Sequence, residues 1–136
     1  MAVQSDFYCD GGWNFNGCDS PYAIFFGQNC YHIPNLSFAA FGVKTHTQAH
    51  TAMRGPGMCN AHAMLENMME QAAAELDINP LELRLNNLME QGSPVIPPPN
   101  ILDVPCPIKE IVDQIKASSA YDQRIEAASA FNEVCH

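Results

Sequence analysis

The feature that most constrains this fold is a loop of small residues followed directly by a long amphipathic pattern. Residues 54–57 read Arg-Gly-Pro-Gly, and apolar residues then recur at helical spacing, which predicts a helix over residues 58–77. The apolar positions are Ala61, Met64, Leu65, Met68, Ala72 and Leu76. The first N–H groups of a helix lack partners and carry the positive end of its dipole, so we expect the loop to hold one edge of a bound cofactor.

Composition limits the partners of this chain. A length of 136 residues suits a single globular domain, and a formal net charge of −9 disfavours nucleic acid or an anionic membrane surface as the main partner. The sequence lacks an apolar run long enough to span a bilayer and a basic-then-apolar N-terminus, so we expect a cytoplasmic protein. Its six scattered cysteines are predicted to be reduced thiols.

Two strands and a short helix are predicted before the loop. Residues 3–13 and 33–47 are rich in strand-forming side chains, and residues 22–28 form a helix that Asp19 or Ser20 can cap. Because two strands alone are marginal in water, we expect them to complete the sheet of a larger protein, and Met1 need not be its true start.

Helices dominate the second half of the chain. Asn79, Pro80 and Glu82 match the start of a helix that Gly92 ends. The apolar side chains in this stretch, expected to be buried, are Leu81, Leu85 and Leu88. Residues 93–107 hold six of the ten prolines and predict an irregular crossing, after which two helices follow at 108–118 and 122–135. The predicted fold class is α/β, or α+β as a fragment, with a few strands and then four to five helices.

Several segments in one order resemble a known family. They are NCYHIPN at 29–35, VKTHTQAHTAMRGPG at 43–57, MLENMMEQAA at 64–73, NPLELRLNNL at 79–88 and the helices over 108–132. Their order and spacing resemble the molybdenum hydroxylases, the family of xanthine dehydrogenase and aldehyde oxidase. The resemblance implies that residues 1–57 end the first molybdopterin-binding subdomain. It also implies that residues 58–136 begin the second, with the proline-rich crossing at 93–107.

The resemblance also implies an activity. This family hydroxylates aldehydes or N-heterocycles with oxygen derived from water at a molybdopterin cofactor, and electrons leave through 2Fe–2S clusters to FAD. The family's active-site glutamate has no counterpart here, and Glu66, Glu70 and Glu75 fall on the polar side of the predicted helix, where solvation is the simplest expectation. We therefore expect the chain to be inactive alone and to act with the remaining domains of an enzyme that is a homodimer when intact.

Site residues carry over by position. Arg54 stands where the family has an arginine whose backbone lies beside the molybdenum, and Gly55 and Gly57 allow close approach to the cofactor. Pro56 replaces a ring-stacking phenylalanine of the purine-oxidising members, and Tyr22 replaces their substrate-orienting arginine. Both departures favour a more apolar pocket, as in aldehyde oxidases, because they supply neither a cation nor that aromatic sandwich.

Alternative functions remain at this level. A xanthine dehydrogenase fragment acting on purines is the first. A small zinc-binding module is the second, because His46, His50, Cys59 and His62 have the residue types of a zinc site. The competing interpretation is that His46 and His50 give polar support to the neighbouring 54–57 loop. The third is a helical interaction module formed by residues 108–136.

Overall fold

A computed structural model describes residues 2–13, 19–50 and 54–134, without the side chains of residues 19 and 20. This part of the chain contains two strands and five helices. In order, they are β1 (Ala2–Gly12), α1 (Asp19–Phe26), β2 (Asn35–Lys44), α2 (Met58–Leu76), α3 (Pro80–Leu85), α4 (Ile108–Ser118) and α5 (Tyr121–Val134). The predicted α/β fragment, with a few strands and four to five helices, is confirmed with two strands and five helices.

The two strands pair with each other in a parallel sheet. The register runs from Ala2 opposite Asn35 to Asp10 opposite Val43, with an irregularity before Gly12. Two-stranded parallel pairing needs a crossover, and α1 lies in the connection between the strands. Because successive side chains alternate between faces, the odd-numbered residues of β1 point to one face and the even-numbered residues to the other.

One face of the sheet is covered by helices. Phe7 from β1, Ala23 from α1 and Ala61 from α2 are buried together. Phe38 of β2 packs its ring against Phe7, with centroids 5.7 Å apart and planes at 75°. Edge-to-face contact of this kind adds to the apolar burial that joins the sheet to α1 and α2.

The opposite face of the sheet carries exposed aromatic side chains. Tyr8 and Phe41 stand opposite each other in the register and stack with centroids 5.0 Å apart, yet they are 70% and 46% exposed. Parallel sheets are normally covered on both faces. This face agrees with the expectation that the strands belong to the sheet of a larger protein.

Helix α1 differs from its prediction in start and packing. It begins at Asp19, so Asp19 and Ser20 are its first residues and not caps before it. Pro21 falls in the first turn, where its missing N–H costs nothing. Phe25 and Phe26, as adjacent apolar aromatic residues, would be expected in a core, but they are 46% and 38% exposed because the small Ala23 faces the sheet instead.

Helix α2 matches its predicted bounds closely. Its buried residues are Ala61, Leu65, Met69 and Ala73. They recur at every fourth position, so the buried stripe drifts around the helix, and the predicted Leu76 ends 62% exposed. The helix stops at Asp77, whose left-handed conformation directs its N–H to the carbonyls of Ala73 and Ala74.

Helix α3 is shorter than predicted. Asn79 caps it as expected, accepting from the N–H of Leu81 at 2.8 Å and of Glu82 at 3.3 Å. It ends at Leu85, however, well before Gly92. Leu83 is its buried residue, whereas Leu81 and Leu85 are only partly buried, and Leu88 is buried in an isolated bridge to Tyr31.

The proline-rich stretch contains neither helix nor strand, as predicted. Pro94 and Ile101 nevertheless form an isolated bridge, and the buried Gln28 side chain donates to Pro94 O at 2.9 Å and accepts from Ile96 N at 3.0 Å.

The chain divides into two compact units, Met1–Val104 and Pro105–His136, and the second contains α4 and α5.

Within the described ranges, the thiols of Cys9, Cys30, Cys59 and Cys106 form no disulfide. Among those residues, no helix combines the length and apolar character needed to cross a bilayer.

Candidate functional site

The 54–57 loop leads directly into α2. Gly55 and Gly57 have φ angles of 79° and 67°, a region that favours glycine, and Gly57 is the residue preceding the helix. The N–H of Met58 donates to Gly55 O at 3.2 Å and closes the turn. Arg54 is exposed, Pro56 is half-buried and Gly57 is buried. The glycines therefore set the backbone, while the Arg54 guanidinium remains at the surface.

The positive end of α2 has no compensating side chain among the described residues of the cap and first turn. No side chain there caps the helix, and its first turn contains no acidic residue. A Cβ added at Gly55 would lie 3.6 Å from both Cys59 Sγ and Met58 Cε. An anionic or oxo-bearing group therefore fits the electrostatics of this turn, with Arg54 as an additional positive charge.

The chain between β2 and the loop folds back onto the end of β1. In this 45–50 segment, Thr45 donates its backbone N–H to Gly12 O at 3.0 Å, and His50 donates to Gly11 O at 3.3 Å. Trp13 N in turn donates to Thr47 O at 3.0 Å. The segment is thus held along the carboxyl end of β1.

A cavity of about 410 Å³ lies between this end of β1 and the first turn of α2. Its lining residues are Phe7, Tyr8, Cys9, Asp10, Ala23, His50 and Asn60. Ligands of open α/β sheets typically bind outside the carboxyl ends of the strands, and Cys9 and Asp10, which line this cavity, lie near that end of β1. Sequence reasoning missed Cys9, Asp10 and Asn60 because the packing that brings β1 and α2 together is not visible in local patterns.

Asp10 is the most connected side chain of this region. Its carboxylate accepts from Thr45 Oγ1 at 2.6 Å, from Gly12 N at 2.8 Å and from Thr47 Oγ1 at 3.2 Å. His50 Nε2 lies 3.7 Å from Asp10 Oδ2. The Thr45 hydroxyl, then the Gly12 N–H, Thr47 and the nearby His50 lower the pKa of the carboxyl below its ordinary value. Asp10 is therefore ionised at neutral pH.

Tyr22 lies on α1, beside two other aromatic residues. Its ring stacks on Phe26 with centroids 6.2 Å apart and meets Phe25 edge-on at 6.4 Å. Tyr22 is 41% exposed, and its neighbour Ala23, not Tyr22 itself, lines the cavity at the end of β1. Its assignment to a substrate pocket therefore stays a prediction, as does that of Pro56.

The four residues of the zinc hypothesis are not assembled into a metal site. Nowhere in the described ranges do three His, Cys, Asp or Glu side chains come together in a way that could hold a metal ion. His50 instead lies 3.1 Å from Thr47 Oγ1, and His62 lines a separate cavity with Phe25 and Phe26. The contacts of His50 are with Thr47, Asp10 and Gly11, so the competing interpretation, support of the neighbouring loop by the two histidines, stays a prediction.

Glu66 is not simply solvated, as the amphipathic pattern predicted. Its Oε1 accepts from Asn29 Nδ2 at 2.8 Å and from Tyr31 Oη at 2.7 Å, and its Oε2 accepts from Arg84 Nε at 2.9 Å. Arg84 also donates to Glu70 at 2.9 Å. Burial, followed by the hydrogen bond to Glu66 and its charge, raises the pKa of the Tyr31 hydroxyl. The network joins α2 to α3 and to the NCYHIPN segment, so it supports the scaffold behind the loop.

Comparison with known proteins agrees with this arrangement. A profile of the molybdopterin cofactor-binding domain family matches residues 1–88. A nicotinate hydroxylase of Emericella nidulans is 30% identical over 77% of this chain and 8% of its own length. A xanthine dehydrogenase of Oryza sativa subsp. japonica is 30% identical over 97% of the chain and 10% of its own.

An aldehyde oxidase 4 of Cavia porcellus is 31% identical over 68% of this chain and 7% of its own length. The chain thus spans a tenth or less of each of these three relatives. The family profile covers well over half of the chain, including β1, α1, β2 and the loop that begins α2. The chain belongs to the molybdopterin cofactor-binding domain family, among the oxidoreductases related to xanthine dehydrogenase and aldehyde oxidase.

Proposed function

We propose that this chain is the part of a molybdenum hydroxylase that holds one edge of the molybdopterin cofactor through Arg54, Gly55 and Gly57. The supporting observation is the start of α2, where two left-handed glycines precede an uncapped helix. Asn60, in the first turn of that helix, lines the cavity at the end of β1. In this proposal the backbone at Arg54 lies beside the molybdenum. The cofactor, when bound, supplies hydroxylation of an aldehyde or N-heterocycle with oxygen derived from water.

The roles of the chain's own residues follow from their placement. Gly55 and Gly57 permit a backbone path that brings N–H groups toward the ligand, since side chains at their positive φ angles would strain the loop. Arg54 is exposed and offers its guanidinium to an anionic group. These residues bind and orient the cofactor, and none of them acts as a general base.

We further propose an aldehyde as the substrate class. Three relatives carry the names nicotinate hydroxylase, xanthine dehydrogenase and aldehyde oxidase, so their names alone leave the class open. Pro56 and Tyr22 supply no fixed cation for a purine, and Tyr22 stands in an aromatic cluster with Phe25 and Phe26. An apolar aldehyde suits this environment better, and purine oxidation is the alternative.

The proposed setting is a larger cytoplasmic enzyme that also carries 2Fe–2S clusters and FAD and is a homodimer when intact. Residues 1–57 then end one molybdopterin-binding subdomain, and residues 58–136 begin the next. The exposed Tyr8 and Phe41 on the open sheet face are where the remaining domains cover this chain, because a parallel sheet is stable when both faces are packed.

A cofactor-retention experiment tests the proposed loop. We expect the purified chain to retain molybdopterin through gel filtration, as measured by the fluorescence of the oxidised pterin, and Gly55→Ala to retain at least tenfold less. Gly92→Ala is the matched control, since Gly92 also has positive φ, 93°, but lies outside the loop with open space around it. Equal retention by the wild type and both variants would contradict the assignment of the loop.

A turnover assay tests the fragment interpretation. The purified chain loaded with molybdopterin and molybdate is expected to show no aldehyde oxidation, because it contains no counterpart of the family's glutamate base. Appreciable molybdenum-dependent turnover by the isolated chain would overturn this interpretation.

A helical interaction module is the second candidate for the C-terminal region. Residues 105–136 form a compact unit of their own, in which Ile111 and Ile115 of α4 and Phe131 of α5 are 47%, 57% and 66% exposed. This candidate requires that residues 105–136, produced alone, stay helical by circular dichroism and bind a partner. A peptide that is unfolded at all concentrations would remove it.

A further inference from the structure

Several hydrogen-bond donors surround the Asp10 carboxylate at the end of β1. Thr45 and Gly12 donate to Oδ1 of Asp10 at 2.6 and 2.8 Å, and Thr47 donates to Oδ2 at 3.2 Å. His50 adds a ring nitrogen 3.7 Å from Oδ2. Three of these partners belong to the 45–50 segment, so a single side chain accepts hydrogen bonds from Thr45 and Thr47 and lies near His50 at the end of the segment.

The same segment approaches β1 too closely for an ordinary side chain at residue 12. Gly12 has a φ of 71°, and a Cβ there would lie 2.2 Å from Gln48 O and 2.8 Å from Ala49 Cα. The segment must come this close to residue 12 because its backbone hydrogen-bonds with residues 11–13, through Thr45, Thr47 and His50. The end of β1 is therefore shaped to receive the 45–50 segment, with Asp10 supplying its side-chain acceptors.

The 45–50 segment also determines where the 54–57 loop begins. Only residues 51–53 separate His50 from Arg54. Four residue steps of extended chain reach at most about 14 Å, so anchoring His50 restricts the positions open to Arg54. Freeing the segment would add conformational entropy that cofactor binding must then overcome.

We infer that Asp10 is a positioning residue, whose carboxylate fixes the 45–50 segment against β1 and thereby places the 54–57 loop. The effect on cofactor binding rests on the proposed function of that loop, while the anchoring itself does not. Asp10 acts through the segment and needs no contact with cofactor or substrate.

Asp6 provides a matched comparison on the same strand and the same sheet face. It is exposed like Asp10 and stands opposite Ala39 in the register. In the described part of the chain, Asp6 has no side-chain hydrogen bond or ion pair of the kind seen at Asp10. Asp6→Ala removes one negative charge and one aspartate from β1, as Asp10→Ala does. It leaves the contacts of Asp10 with the 45–50 segment in place.

Amide hydrogen exchange on the full 136-residue chain tests the anchoring. In Asp10→Ala we expect the amides of Trp13, Thr45 and His50 to exchange at least tenfold faster than in the wild type, with α2 amides unchanged. Asp10→Asn should give intermediate rates, because its amide oxygen still accepts from Gly12 and Thr45. Asp6→Ala should match the wild type.

Two outcomes would overturn the inference. Unchanged exchange in Asp10→Ala would show that the backbone contacts alone hold the segment. Faster exchange throughout α2 in both Asp10 variants would show general support of the fold and not local positioning.

Molybdopterin retention on the same variants separates this inference from the proposed function. Reduced retention in Asp10→Ala, restored partly in Asp10→Asn, supports the link between anchor and loop. If even the wild type retains no molybdopterin, the proposed function fails while the exchange result still decides the anchoring. If the segment is freed and retention is unaffected, the link to the loop is wrong.

Discussion

At the scale of single residues, Glu66 shows what a periodic pattern misses. Its place on the polar side of α2 predicts solvation, yet it accepts from Asn29, Tyr31 and Arg84. These donors lie 37, 35 and 18 positions away in the sequence. Periodicity describes which face of a helix a residue occupies, but not which distant donors fold over that face.

The Glu66 network should contribute measurably to stability. Glu66→Ala removes the acceptor of the Tyr31 hydroxyl in a residue that is only 2% exposed, and it removes one carboxylate partner of Arg84. We expect a loss of about 2 kcal/mol in the free energy of unfolding, measured by urea denaturation, because donors are left without their charged acceptor. Arg84 retains Glu70 and Pro80 O, which limits the loss.

Glu75→Ala is the control for this change, because Glu75 is an exposed glutamate on the same helix. Its effect on the urea midpoint should be close to zero. An equally small effect of Glu66→Ala would mean that water replaces the lost acceptor without cost.

At the scale of elements, boundaries were predictable where local chemistry sets them. The glycines before α2 and the Asn79 cap of α3 act within a few residues, and both starts agree with the structure. The end of α3 at Leu85 and the exposure of Phe25 were not predictable in this way. They depend on Leu88 pairing with Tyr31 and on Ala23 facing the sheet, which are contacts between distant segments.

The same distinction between local and distant contacts applies to the candidate site. Arg54, Gly55 and Gly57 form a local turn, which the sequence pattern indicates directly. Asp10 was not singled out, because nothing near it in the sequence resembles a binding motif. Its partners Thr45 and Thr47 come beside it only through the parallel register of β1 and β2.

Helix α2 should be held chiefly by its buried stripe. Leu65 is fully buried, so Leu65→Ala is expected to lower the free energy of unfolding by about 3 kcal/mol through lost apolar burial and the cavity left behind. Leu76→Ala makes the same chemical change at the 62% exposed end of the helix and should cost under about 1 kcal/mol. Urea denaturation of both variants measures the difference, and equal losses would contradict the packing described for α2.

At the scale of the whole molecule, the proline-rich stretch has two parts with different roles. Composition alone predicts an irregular crossing, and residues 93–107 do lack regular structure. The first part is nevertheless attached to the turn after α1, since the side-chain amide of Gln28, only 5% exposed, donates to Pro94 O and accepts from Ile96 N. The boundary of the first compact unit consequently falls at Val104, after this attachment, and not where the prolines begin.

Truncation tests this boundary. A chain of residues 1–104 should unfold in urea with the midpoint of the first unit in the full chain, because the unit remains whole. A chain of residues 1–92 deletes both partners of Gln28 and two apolar residues, Val95 and Ile96, that line a cavity with Phe38. We expect it to lose about 2 kcal/mol or more, since a buried amide is left unsatisfied. Equal midpoints for the two truncations would show that residues 93–104 are a linker and would move the boundary to residue 92.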